Sequence, residues 1–116
     1  MIKRSYIDYL KDIQNAIEEI ETFSVDMDFG SFLEDRKTIN AVVRSLEVIG
    51  EAAKNIPEHI KKSYPEMPWN EMAGTRDILI HAYFGIDEKV IWKTIKEDLV
   101  KIKPIVKRII AELKKA

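Results

Sequence analysis

The sequence predicts an all-α chain: an up-down bundle of four main helices with one short extra helical turn. Three observations carry this. Apolar residues recur at three- and four-residue steps from Ile2 to Leu113. No segment alternates apolar and polar residues as a half-buried strand would. Pro57, Pro65, Pro68 and Gly85 cut the helical pattern into lengths joined by short connections, which makes neighbouring helices antiparallel.

Each element has its own signal. Ile2, Tyr6, Tyr9, Ile13, Ile17, Ile20 and Phe23 mark a long amphipathic first helix. Ile39, Val42, Leu46, Ile49, Ala53 and Ile56 form a bundle seam on a second helix, expected from near Ser31 to near Asn55, where Pro57 blocks continuation. Pro57 is suited to start a short turn through Lys62. Pro68 suits the first turn of a third helix carrying Trp69 through Phe84, which Gly85 ends. Asp87 caps the last helix, with Glu88 placed to favour its dipole. Its stripe is Ile91, Ile95, Leu99, Ile102, Val106, Ile109 and Leu113, and Pro104 should kink or split it.

Composition narrows the class. A length of 116 residues fits one domain spanning 1–116, with a small core. A hydrophobic share of 46% beside 34% charged residues fits a soluble globular chain. The absence of cysteine excludes a disulfide framework and a thiolate metal site and suits a reducing cytoplasm. No targeting pattern or membrane-length apolar run is present, so a cytoplasmic location is expected. The net charge of −1 does not advertise nucleic-acid binding, but its distribution is uneven. Lys101, Lys103, Lys107, Arg108, Lys114 and Lys115 face only Glu112 in the last stretch. Such a tail can steer RNA or simply complement the negative end of a helix dipole.

The chemistry concentrates in Gly74-Thr75-Arg76-Asp77-Ile78-Leu79-Ile80-His81-Ala82-Tyr83-Phe84-Gly85. Arg76, His81 and Tyr83 sit in the pattern R-x4-H-x-Y within an otherwise apolar segment, where polar groups are costly. A helix apolar nearly all round needs more cover than a small domain supplies, so one face is expected to meet a second copy, by twofold symmetry. On a regular helix Arg76 and His81 are about 140° apart, Arg76 and Tyr83 about 20°, and Asp77 and His81 about 40°. Two routes would unite Arg76 and His81. Gly74 and Thr75 can loosen the start of the helix, or a twofold axis can bring residues of both copies into one cleft.

Those residue types suit cleavage of RNA by its own 2′-hydroxyl. A histidine can remove or deliver a proton near neutral pH. An arginine fork can clamp the charge that gathers on phosphorus oxygens. Asp77 can orient the imidazole or hold Arg76. The plainer alternatives are a core histidine bonded to a carbonyl, an Arg76 ion pair with Glu71 or Asp77, and an interfacial tyrosine. Arg44, Glu47 and Glu51 share a face of the second helix, as a polar network in the groove or as a solvated ion-pair face. Ile78 precedes His81 by three residues and Ile56 precedes His59 by three, so the Glu-x-x-His of di-iron bundles is missing; no metal or cofactor is expected. His59 reads as exposed, and Trp69 and Trp92 as core or interface anchors rather than base-stacking platforms.

Two blocks also carry a resemblance. Trp69-x-x-Met72-x-Gly74-x-Arg76-Asp77-x-Leu79-x-His81-x-Tyr83, together with Arg44-x-x-Glu47-x-Ile49-Gly50-Glu51-Ala52 upstream, resembles the HepT-like proteins, a branch of the HEPN superfamily. The resemblance spans nearly the whole chain. It implies a homodimeric, metal-independent endoribonuclease with Arg76 and His81 as the catalytic pair, acting as the toxin of a type VII-like toxin–antitoxin pair. It further implies an MNT-type minimal nucleotidyltransferase as the partner, and adenylylation of Tyr83 by that partner as the means of inhibition. Two other readings stay open: a non-catalytic module that binds a nucleotide or the nucleotidyltransferase, and an interaction subunit that only dimerises.

Overall fold

The computed structural model describes residues 4–82 and 87–115, with side chains omitted for 76–82. Among the described residues every regular element is helical and no strand occurs. Helix α1 spans Tyr6–Phe23, α2 Phe29–Glu34, α3 Arg36–Lys54, α4 Glu58–Ser63, α5 Trp69–Ala82 and α6 Glu88–Lys93. A π-helical turn over Thr94–Asp98 joins α6 to α7, Leu99–Lys115. Helix α3 packs between α1 and α5, and α1 also packs on α7. That is the expected bundle of four long elements.

Side-chain chemistry sets the helix starts. Ser5 and Asp8 form a capping box at α1: the Asp8 amide donates to Ser5 Oγ at 3.3 Å, and the Ser5 amide to Asp8 Oδ2 at 3.0 Å. The periodicity from Ile2 cannot see this cap; Ile2 itself lies outside the described residues. Asp28 and Ser31 make the same reciprocal pair at α2. Asp35 then caps α3, accepting from the Thr38 amide at 3.0 Å and the Thr38 hydroxyl at 2.8 Å.

This last cap corrects the expectation of a single second helix from near Ser31. The seam is broken at Asp35, whose backbone is not helical and whose carboxylate satisfies the amides of a new start. The other end, at Asn55 before Pro57, is as expected. Pro57 stands at the N-cap of α4. Asp87 caps α6, accepting from the Lys89 amide at 3.1 Å.

Pro104 lies inside α7 and does not divide it; the helical assignment runs unbroken from Leu99 through Lys115. The irregularity lies upstream, where the Leu99 amide reaches back five residues to the Thr94 carbonyl. A π turn is wider than an α turn. It keeps Ile91, Ile95 and Leu99, spaced by two consecutive four-residue steps, on the buried side.

The core is largely the expected stripes. Ile13, Ile17, Ile20, Ile39, Val42, Leu46, Val106 and Ile109 are essentially sealed from solvent. Leu10 and Phe32, outside the predicted stripes, are equally buried, while Phe23 at the end of α1 is 39% exposed. Ser45 is buried between α1 and α3 and donates to Glu19 Oε2 at 3.4 Å, so its hydroxyl is not left unpaired.

A candidate active site on helix α5

Helix α5 begins where the chain chemistry demands. The Pro68 carbonyl accepts the first helical bond from the Met72 amide at 3.0 Å, and proline lacks only an amide that would find no partner there. Trp69 and Met72 turn into the core, 6% and 3% exposed. The Trp69 indole N–H donates to the Tyr64 carbonyl at 3.0 Å, which fixes the loop before the helix. Tyr64 in turn donates its hydroxyl to Glu112 on α7 at 2.9 Å, and this bond raises the phenol pKa above its ordinary value. Arg108 pairs with both Glu66 and Glu112, tying the same loop to α7.

The helix then runs unbroken through Arg76 to Ala82. This overturns one of the two routes by which Arg76 and His81 were to meet. Gly74 and Thr75 are not at a loosened start; they lie in mid-helix, and the Thr75 hydroxyl donates to the Glu71 carbonyl at 3.0 Å, one turn back. The register therefore holds. Positions 69, 72 and 76 fall within about 60° of one another, and positions 70, 74, 77 and 81 within about 60° on another stripe, the two separated by about 140°. By backbone position, Arg76 thus continues the register of Trp69 and Met72 along α5. His81 and Asp77 share the register of Asn70, which is exposed, and of Gly74. Beyond its chain neighbours and the backbone of its own helix, no atom of the described residues lies within 4 Å of where a Gly74 Cβ would stand. Tyr83 lies outside the described residues.

Of the second-helix residues, Arg44 is exposed on α3 and pairs with Glu47 at 3.7 Å, one turn along. Arg44 is well exposed and Glu47 half-buried. Glu51 is on the same helix, and its carbonyl accepts from Asn55 Nδ2 at 2.8 Å. His59 is exposed, with its ring edge-on to Tyr6 at 6.1 Å.

A groove of about 620 Å³ runs beside α5, between α3 and the α6–α7 arm. Leu46, Ile49 and Met72 form apolar lining, and Thr75, the residue before Arg76, lines it as well. Lys93 and Lys101 stand at it with Glu66, Glu71 and Asp98. Reading the sequence alone placed the basic weight from Lys101 onward and missed Lys93. Its spacing from Lys89 and Lys96, by four and three residues, was the available signal.

The profile of the ribonuclease HepT-like family matches residues 13–109. The chain belongs to that family. A relative named "Probable ribonuclease HepT" from Thermococcus cleftensis is 58% identical over 102 residues, covering 88% of this chain and 93% of the relative. "Putative RNase MJ0127" of Methanocaldococcus jannaschii is 46% identical over 116 residues, covering 97% of this chain and 96% of the relative. A larger protein of the same organism, "Gamma-glutamylcyclotransferase and putative RNase MJ0434", matches at 40% over 107 residues, with 48% of its own length covered. No solved structure matches the chain. The matched span includes both Arg76 and His81, and the unbroken α5 gives the HepT-like motif its helical register. No helix among the described residues is long and apolar enough to cross a membrane.

Proposed function

We propose that this HepT-like chain is a metal-independent endoribonuclease that works as a homodimer, with Arg76 and His81 as its catalytic pair. The observation that carries the proposal is the continuity of α5 through both residues. A continuous helix holds the two registers about 140° apart, so one copy does not naturally turn both toward one phosphate. A twofold partner, packing on the stripe of Gly74 and His81, supplies the second member of each pair.

The reaction is transfer followed by release. A neutral His81 takes the proton of the ribose 2′-hydroxyl, and the 2′-oxygen bonds to phosphorus. The bond from phosphorus to the 5′-oxygen breaks, and a protonated His81, from the other copy, gives that oxygen its proton. The products are a 2′,3′-cyclic phosphate and a 5′-hydroxyl. Arg76 binds the charged phosphorus oxygens through two parallel N–H bonds, and Asp77, one turn from His81, orients the ring. In the cell the chain is the toxin of a type VII-like pair with an MNT-type nucleotidyltransferase. The partner transfers AMP from ATP to the Tyr83 hydroxyl with loss of pyrophosphate. On a regular helix Tyr83 would lie about 20° from Arg76, so the added phosphate would compete for the arginine.

The test is RNA cleavage in chelator by wild type and His81→Ala, on protein whose intact mass shows no added AMP. Cleavage by the wild type alone, leaving cyclic phosphate ends, is the expected result. Arg76→Lys should lose most activity because a point charge does not replace the planar fork. Equal cleavage by wild type and His81→Ala would overturn the assignment. RNA binding without turnover would favour the nucleotide-binding module instead.

A further inference from the structure

The arm formed by α6 and the π turn carries a feature that the α5 chemistry does not use. Lys89, Lys93 and Lys96 are exposed and spaced by four and three residues around Trp92. With Phe29 of α2 and Glu97 they line a hollow of about 460 Å³. Trp92 is half-buried: its ring stands on the sealed Phe32 at 5.0 Å and beside Phe29 at 6.1 Å, while Lys96 Nζ lies 4.7 Å from its centroid. Among the described residues no carboxylate pairs with any of these three lysines. By contrast Lys103 pairs with Glu21 at 2.8 Å, Arg4 with Asp12 at 2.8 Å, and Arg108 with Glu66. The nearby Asp28 carboxylate is held by the Ser31 amide as a helix cap. The hollow therefore joins uncommitted positive charge to aromatic surface anchored from below.

Position gives the feature its meaning. Lys93 lines both this hollow and the groove beside α5 that reaches Thr75, the neighbour of Arg76. We propose that Lys89, Lys93 and Lys96, set around Trp92 and Phe29, form a track for single-stranded RNA flanking the scissile phosphate on α5. This rests on the ribonuclease reading. The lysines meet phosphates as point charges, and Lys96 leaves the Trp92 ring to a base while its ammonium follows the backbone. Lysine contacts and ring stacking read no base edge, so the track adds affinity without sequence preference.

The test uses the full-length chain and a short, mixed-sequence 2′-O-methyl oligoribonucleotide, which cannot be cleaved through its 2′-oxygen. Binding is followed by anisotropy across a salt series, with indole emission recorded in parallel. The track variant is Lys89→Gln, Lys93→Gln, Lys96→Gln; a control with the same charge change is Lys54→Gln, Lys61→Gln, Lys62→Gln on α3 and α4. The track variant should bind at least about tenfold more weakly, lose the RNA-dependent quenching of indole emission, and show a slope of log affinity against log salt smaller by about 2, from about 0.7 per phosphate contact. The control should keep affinity within about twofold and retain quenching. Cleavage of a dinucleotide should be unchanged in the track variant, while KM for longer RNA rises. Equal losses in the two variants, wild-type binding by the track variant, or a wild type that binds an acidic protein but no RNA would each overturn the track. Track-dependent binding by a wild type that cuts no RNA would refute the ribonuclease reading and leave the track standing. Cleavage by the wild type with unchanged binding in the track variant would do the reverse.

Discussion

Replacing Gly74 with alanine separates what α5 needs for folding from what it needs for activity. Gly74 lies five residues into an unbroken helix, its backbone is not in the left-handed region, and an added Cβ meets no described atom within 4 Å beyond its chain neighbours and its own helix backbone. Nothing among the described residues therefore calls for glycine there. Alanine is favoured over glycine in a helix interior by about 1 kcal/mol. For 116 residues, an unfolding entropy of about 2.1 cal/mol/K per residue gives about 0.24 kcal/mol/K, so Tm should rise by about 4 °C. The same stripe carries the register of His81, where the proposed close approach of a second copy or of RNA would give glycine its use. Gly74→Ala should thus raise Tm while lowering cleavage by about tenfold or more, a trade of activity for stability. Thermal unfolding by circular dichroism over a range of protein concentrations, beside single-turnover RNA cleavage, measures both. A Tm that falls, independent of concentration, would refute the conformational argument. A Tm that rises with full activity would remove the close approach at this face.

Other outcomes follow from the same geometry. Ile13→Ala, at a site with no exposure in the middle of α1, should lower stability by about 2–5 kcal/mol through lost burial and the cavity left behind, read from the urea midpoint. Pro104→Ala removes a residue without an amide from an exposed position inside α7 and should raise stability by about 1–3 kcal/mol; an unchanged or lower Tm would show that the π turn already absorbs the proline. Asp8, Asp28 and Asp35 are held below the ordinary carboxylate range, each first of all by a backbone amide bond, of Ser5, Ser31 and Thr38. The stability from a lowered folded pKa is fully present above the unfolded value of about 4 and is lost as pH falls from there through the folded pKa. Urea midpoints should therefore drop between pH 6 and pH 3, and converting all three to asparagine should flatten that drop.

Most of the bundle was legible because its signals are local. The isoleucine stripes of α1 and α7 record which face is buried, and proline at 57 and 68 marks boundaries that steric exclusion enforces. The break at Asp35 was less legible: the apolar seam resumes at Ile39, and periodicity alone cannot tell an aspartate that caps from one on a solvated face. The π turn was hidden for a related reason. Two successive four-residue steps occur in α1 as well, at Tyr9, Ile13 and Ile17, where the helix stays regular. At the candidate site, the R-x4-H spacing and the family blocks were readable directly, and the Pro68 boundary already implied a mid-helix Gly74; the Trp69 indole bond that fixes the preceding loop needed the fold.

The sequence by itself determined the helical class, the main core faces, and the residue types that can cleave RNA, because these depend on neighbours within a turn or two. Tertiary structure alone decided that the Trp69 and Met72 stripe of α5 faces the core. It also brought Lys93 to the groove that Thr75 lines and set Trp92 on Phe32, sixty positions earlier in the chain. Those relations join residues remote in sequence through packing between helices, and no local periodicity encodes the distance between them.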